Sequence, residues 1–189
     1  QDENYIKTYM GNNGTKNGTL SLGFNYNKII ANALIDYTST DGTRSDSNGD
    51  KDENYNKNKI FNIIYFPTDD LEFNLTRTYS NMNTIYAGSL TLDEYKNNPN
   101  QSNSFTEQYF SSYVTTGGFK YNFNTNLSLE TTFNDENKIS NYVTYQSKFK
   151  YDYKSLSSKL NYQEDNYKLL VGVDGFDGDR TGSSSITNK

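Results

Sequence analysis

Cysteine, histidine and tryptophan are absent from this 189-residue chain, and proline occurs twice. Without cysteine there is no disulfide and no thiolate zinc site. Without histidine the usual general base, the Ser-His triad and the commonest metal ligand are gone. The expectation is a protein that is not an enzyme and carries no cofactor or metal. Long apolar runs are lacking too, and mean hydropathy is -0.94. The longest apolar clusters, Ile29 to Ile35 and Ile60 to Phe66, are broken by Asn32 and Asn62. A transmembrane helix needs roughly 20 apolar residues, so a helical membrane protein is excluded. Excess charge is small as well, with 18 Lys and Arg against 23 Asp and Glu. The signs are interspersed, nothing resembles a basic footprint, and nucleic acid is not an expected partner.

What is present is alternation. Leu20, Leu22, Phe24 and Tyr26 interleave with Ser21, Gly23 and Asn25. Leu71, Phe73 and Leu75 interleave with Glu72, Asn74 and Thr76, and Leu127, Leu129 and Phe133 with Ser128, Glu130 and Thr132. Period two marks a strand with one apolar and one polar face. Aromatics make up 15% of the chain, nearly all Tyr and Phe, while aliphatics are scarce. A soluble β-sandwich with tyrosine as core filler fits these facts, and so does an outer-membrane β-barrel with interfacial aromatic girdles.

About ten short strands are expected: 5–10, 19–26, 29–38, 59–66, 71–79, 105–123, 127–133, 142–153, 156–162 and 167–176. Gly117-Gly118 suggests a bulge. Pro67 to Asp70 is a turn, with Pro presetting φ and Asp bonding its own backbone. Asp135 to Lys138 is a connector. The alternation changes phase between Tyr153 and Leu156, which fits either a turn or a bulge. Asp174, Asp177 and Asp179 fit a loop beyond a strand end. Connector length separates the two architectures. Short links at Asn27-Lys28, 67–70 and 124–126 alternate with long stretches at 40–58 and 80–104. A barrel does this, with short periplasmic turns and long outer loops. The fold class expected is therefore all-β, an antiparallel meander forming part of a transmembrane barrel. No domain boundary is visible, so 1–189 is taken as one partial barrel domain.

The chain opens at Gln1 without initiator Met or signal peptide and closes on a Gly/Ser run, Thr181 to Ser185. It is expected to be a fragment without a terminal strand, forming an open curved sheet.

Two loops and one strand carry a family resemblance. Ile85-Tyr86-Ala87-Gly88-Ser89-Leu90-Thr91-Leu92-Asp93-Glu94-Tyr95, then Asn97-Asn98-Pro99-Asn100-Gln101, is similar to a loop of TonB-dependent outer-membrane receptors. There an aromatic strand end leads into a Pro-Gly-x-Leu-Thr step, a short acidic helix and Asn-Pro-x-Gln. Ala87 stands where the family has Pro. Ser39 to Ser47 resembles the family's Ser-x-Gly-aromatic-Arg-x-Asn-Ser step, with Thr43 in place of the aromatic. Leu169 to Asp174 resembles its strand ending in Gly-aliphatic-Asp. The resemblance implies the early part of a receptor barrel, lacking plug and TonB-contacting box. It implies active uptake of a ferric siderophore, haem, cobalamin or a related small chelate. The partners it implies are the lipid bilayer and TonB with ExbB and ExbD, reached through the missing plug and box, and the place it implies is the cell outer membrane. The alternatives are a passive porin or adhesin-type barrel, and a secreted carbohydrate-binding β-domain.

Independently of the family, Thr91 can cap a helix starting at Leu92, with Asp93 and Glu94 at the positive end of its dipole. Asn97-Asn98-Pro99 would end it. Candidate ligand-binding residues in the outer loops are Arg44, Tyr86 and Tyr95. Arg44 is suited to clamp an anionic chelate, or else to brace its loop by an ion pair with a neighbouring Asp. Asp46 to Glu53 offers oxygens for calcium, but Lys51 and Lys57 occupy the glycine and bidentate-glutamate positions of an EF-hand. A solvated loop is the better fit. Arg77 is expected near the outer end of its strand, snorkelling if it faces lipid.

Overall fold

The computed structural model describes residues 4–184. The described residues form one antiparallel meander of nine strands: β1 Tyr5–Met10, β2 Lys16–Tyr26, β3 Ile29–Thr40, β4 Asn54–Thr68, β5 Leu71–Ala87, β6 Phe105–Asn122, β7 Leu127–Tyr142, β8 Ser147–Glu164 and β9 Tyr167–Ser184. A single short helix, α1 Leu92–Asn97, sits between β5 and β6. Spatial order equals sequence order, and every strand pairs only with its chain neighbours. The sheet is open, with β1 and β9 as its edges.

Among the described residues no second layer covers either face. Among the described residues none is both hydrophobic and buried; the buried ones are Asn81, Ser102, Ser111, Ser112 and Ser140. The usual distribution is inverted. On β5, Phe73, Leu75 and Arg77 are exposed while the intervening Glu72, Asn74, Thr76 and Thr78 are half-buried. Over most of the sheet small polar side chains share one side and large apolar ones the other; β3 and β4 are apolar on both, with Ile30, Leu34, Ile60 and Ile64 on the polar side.

The polar face satisfies itself. One register row runs Asn62, Thr76, Thr116, Asn134, Ser155 across five strands. Asn62 donates to Thr76 at 2.9 Å, Thr116 to Asn134 at 2.7 Å, and Asn134 to Ser155 at 3.2 Å. A second row, Glu72, Lys120, Glu130, Lys159, alternates in sign, the arrangement that favours cross-strand pairing.

Several expected boundaries move. Residues 54–58 and 80–87 belong to strands, so the long outer loops shrink to 41–53 and 88–104. Asp135 to Lys138 is no connector but the middle of β7. There Glu136 and Lys138 point to one face and pair at 2.9 Å. Nine strands result instead of ten. Between Tyr153 and Leu156 the ladders on both sides of β8 run unbroken, so neither turn nor bulge is present. The apolar residues simply change face there. Gly117-Gly118 is not a bulge either; the one register shift falls between Tyr65 and Thr68, where Pro67 cannot donate to the ladder. The turn that follows is Asp69-Asp70 alone. Asp174, Asp177 and Asp179 lie within β9, not in a loop, and that strand includes the Gly/Ser residues up to Ser184. Ser185 lies outside the described residues. The connector asymmetry persists. Residues 27–28, 69–70, 123–126 and 165–166 join strands at one end; 11–15, 41–53, 88–104 and 143–146 join them at the other.

Candidate functional site

Two features of this sheet can do chemistry: the apolar outer face and the paired long loops.

Cross-strand partners share a face, so the register fixes each face residue by residue. The outer face carries Leu20, Leu22, Phe24 and Tyr26 on β2, and Ile29, Ala31, Ala33 and Ile35 on β3. Phe61, Ile63 and Tyr65 on β4 and Phe73 and Leu75 on β5 continue it. Phe119 and Tyr121 on β6, Leu129 and Phe133 on β7, Leu156 and Leu160 on β8, and Val171 and Val173 on β9 complete it. Toward the short turns the band ends in Tyr26, Tyr65, Tyr121 and Tyr162. Toward the long loops it ends beneath Tyr37, Tyr79 and Tyr113. From Tyr121 to Tyr113 is eight residues, about 27 Å along the strand. The band also drifts across the rows. Its outermost member is Leu20 on β2 and Val173 on β9, three same-face rows apart. Three rows of about 6.8 Å across seven gaps of about 4.8 Å correspond to a strand tilt of about 30°. That is near the 35–45° of membrane barrels. At such a tilt the 27 Å run projects to a band about 23 Å tall, close to the ~25 Å apolar belt of an outer-membrane barrel.

The long loops lock onto each other. Ser45 donates its N–H to the Asn100 carbonyl at 2.8 Å, and Ser102 donates to the Ser45 carbonyl at 2.8 Å. Asp52 Oδ1 accepts the backbone N–H groups of both Thr43 and Arg44 at 2.7 Å. Gly42 permits this: its φ is +82°, and a Cβ there would fall 2.2 Å from Asp52 Oδ1. In α1 the Thr91 hydroxyl accepts from the Glu94 N–H, and the Glu94 carboxylate accepts from the Thr91 N–H at 2.8 Å, a reciprocal cap. Asn103 donates to the same carboxylate at 2.7 Å. The Thr91 backbone N–H, then the Asn103 amide and the Thr91 hydroxyl, hold the Glu94 pKa below its ordinary value.

Arg44 braces the pair of loops, but not through an ion pair. Its Nε donates to the Gln101 carbonyl at 2.9 Å and its Nη2 to the Gly88 carbonyl at 2.7 Å. The expected partner Asp is replaced by two backbone oxygens of the second loop, whose identity no side-chain pattern reveals. Arg44 and Tyr95 line one open depression of about 490 Å³ together with Leu90, Thr91, Leu92 and Pro99. Tyr86 is not among the lining residues. It lies by register on the polar face, half-exposed, and donates to Gln108 Oε1 at 3.2 Å. The three candidates thus divide two to one. Asp46 accepts from the N–H groups of Asn48 and Asp50 at 2.9 and 3.0 Å, shaping its own turn. No group of three or more potential metal ligands converges among the described residues.

A cationic cluster escaped the sequence reading. Lys57 was placed in a loop and Arg77 at a strand end, yet β4 begins at Asn54 and β5 continues to Ala87. Both residues, with Lys59, lie on the outer face just beyond the apolar band. The signal was present in the period-two run Tyr55, Lys57, Lys59.

No family model and no curated protein matches the chain.

Proposed function

We propose that these strands are a section of the wall of an outer-membrane active-transport receptor, energised through TonB and taking up a small scarce chelate such as a ferric siderophore, haem or cobalamin. The observation that carries the membrane part is the exposed apolar band, tilted, rimmed by tyrosines and opposed by a self-bonded polar face, in a sheet without a buried apolar core. Cell exterior, bilayer and periplasm would follow one another along each strand. The receptor part is supported by the three family-like segments and by the loop depression. That depression joins one guanidinium with two of its five donors committed to apolar and aromatic surface. An anionic chelate with an apolar body suits it. In this reading the outer loops collect ligand, and a plug drawn by TonB opens the path.

Fractionation of cells making the full-length protein tests the first part. Recovery with outer membranes, released by detergent alone, supports it; recovery in the soluble fraction without detergent overturns it. Uptake of radiolabelled ferric chelate with and without the TonB motor tests the second. Loss of uptake on removing the motor supports active transport. Unchanged uptake assigns the wall to a passive porin instead.

A further inference from the structure

Asparagine is followed by glycine at Asn13-Gly14, Asn17-Gly18 and Asn48-Gly49. Such a pair is labile in water. Glycine has no side chain to hinder its own nitrogen, which can attack the side-chain carbon of the asparagine before it. The fold treats the three pairs differently.

Asn17 is held. Its Nδ2 donates to Asp36 Oδ1 at 3.1 Å, to the Tyr37 carbonyl at 3.2 Å and to Thr38 Oγ1 at 2.8 Å. Gly18 lies inside β2, paired with Thr8 on one side and Tyr37 on the other. Asn48 is exposed, but the nitrogen that would attack it is engaged. The Gly49 N–H donates to the Asp46 carbonyl at 3.2 Å, and the Asn48 N–H donates to Asp46 Oδ1 at 2.9 Å. Asn13 has neither restraint. It is exposed, and among the described residues neither its side-chain amide nor the Gly14 N–H has a hydrogen-bond partner. The two residues form the corner of a tight turn, with φ of +56° and +63°. The Thr15 N–H closes it on the Asn12 carbonyl at 3.1 Å. That bond spans the corner and leaves the Gly14 N–H out.

The turn also holds a neighbour. The Asn13 carbonyl accepts the Asp41 N–H at 2.9 Å and the Thr40 hydroxyl at 3.0 Å. The Asp41 carboxylate lies against Gly14, where a Cβ would fall 2.0 Å from its Oδ2. These contacts tie the β1–β2 turn to the start of the long loop 41–53.

We infer that Asn13 is a site of spontaneous deamidation, and that its isoaspartate product unties the first long loop from the β1–β2 turn. The Gly14 nitrogen gives its proton to solvent and bonds to Asn13 Cγ. The Cγ–Nδ2 bond breaks, and Nδ2 takes a proton from solvent and leaves as ammonia. Water then opens the five-membered imide. Opening at Cγ gives aspartate. Opening at the backbone carbonyl leaves the chain running through Cγ, which is isoaspartate. In that product the carbonyl that held Asp41 and Thr40 has become a carboxylate outside the peptide plane. It carries a charge beside that of Asp41, and like charges repel. The chemistry is the same in a receptor wall, a porin or a soluble sheet.

The folded full-length protein is aged in mildly alkaline buffer, sampled over time and digested, and each peptide is weighed for replacement of NH2 by OH. A parallel sample is aged in denaturant, where the three pairs should react alike. In the folded protein Asn13 should react about tenfold faster than Asn48, the equilibrium worth of one hydrogen bond at the attacking nitrogen, and Asn17 not measurably. Protection of Asn13 to the level of Asn17, or a rate at Asn48 equal to or above that at Asn13, overturns the assignment. Amide exchange at Asp41 reads the untying and should quicken in step with isoaspartate content. An Asn13→Gly variant accepts the positive φ and cannot deamidate, so ageing should leave its Asp41 exchange unchanged. Unaltered exchange at Asp41 in protein rich in isoaspartate overturns the untying, as does equal quickening in the variant.

Discussion

At the scale of single residues, Arg44 carries the most consequence. One side chain joins the two long loops through acceptors 44 and 57 residues further along the chain. Replacing it with Ala should lower the local stability of 41–53 by about 1.5 kcal/mol, the low end for charge-assisted hydrogen bonds at a partly exposed site. The readout is faster amide exchange at Ser45 and Ser102 while the sheet stays protected. Arg44→Lys should not restore it, because an ammonium lacks the planar fork that spans two carbonyls. Glu94 gives a pH signature. Its folded pKa is depressed by the Thr91 N–H, the Asn103 amide and the Thr91 hydroxyl, so its contribution to the cap is complete above the unfolded value of about 4.3 and is lost as pH falls through the folded one. Titration of Glu94 by NMR should show a midpoint below that of a free glutamate, and fraying of α1 should follow protonation. The cap itself was legible: Thr91, Leu92 and Glu94 at their spacing specify it. The Arg44 acceptors were not, since backbone carbonyls carry no residue type.

At the scale of elements, the strands were legible wherever they cross the apolar band and illegible beyond it. Inside the band, Leu71-Phe73-Leu75 and Leu127-Leu129 announce a strand by alternation. Outside it, segments such as 54–58 and 134–138 are strands built wholly from polar and aromatic residues. Nothing there needs burial on one face, so alternation of hydrophobicity vanishes while pairing goes on. That is why β7 is cut short at Phe133 in the sequence-based reading, with the true turn 143–146 falling inside an expected strand, and why both long loops are overestimated. The two adjacent glycines make a sharper point. A Cβ on Gly118 would fall 2.6 Å from the Thr131 carbonyl oxygen, whereas on Gly117 its nearest contact is Leu75 Cδ1 at 3.7 Å. Gly118→Val should destabilise the β6–β7 ladder by about 1–3 kcal/mol, measured by denaturant titration, and Gly117→Ala should be nearly neutral. On the proposed bilayer side, Leu75→Arg should cost about 2–4 kcal/mol of folding into lipid vesicles. Thr76→Arg, one residue on and facing the other way, should cost far less.

At the scale of the whole molecule, the meander order and all-β class followed from connector lengths and period two alone. The openness of the sheet follows from nine strands that never return to the first. Both edges, β1 and β9, present unpaired backbone groups, the condition that invites a further strand. The lack of any buried apolar core among the described residues has a thermodynamic corollary. Globular domains absorb about 12–15 cal/mol/K per residue on unfolding, because oily groups pass from a dry interior into water. Here those groups already face outward, and in the proposed membrane setting they stay in the micelle when the strands separate. Scanning calorimetry in detergent should therefore give a heat-capacity step well below that range, and a melting enthalpy almost independent of the transition temperature.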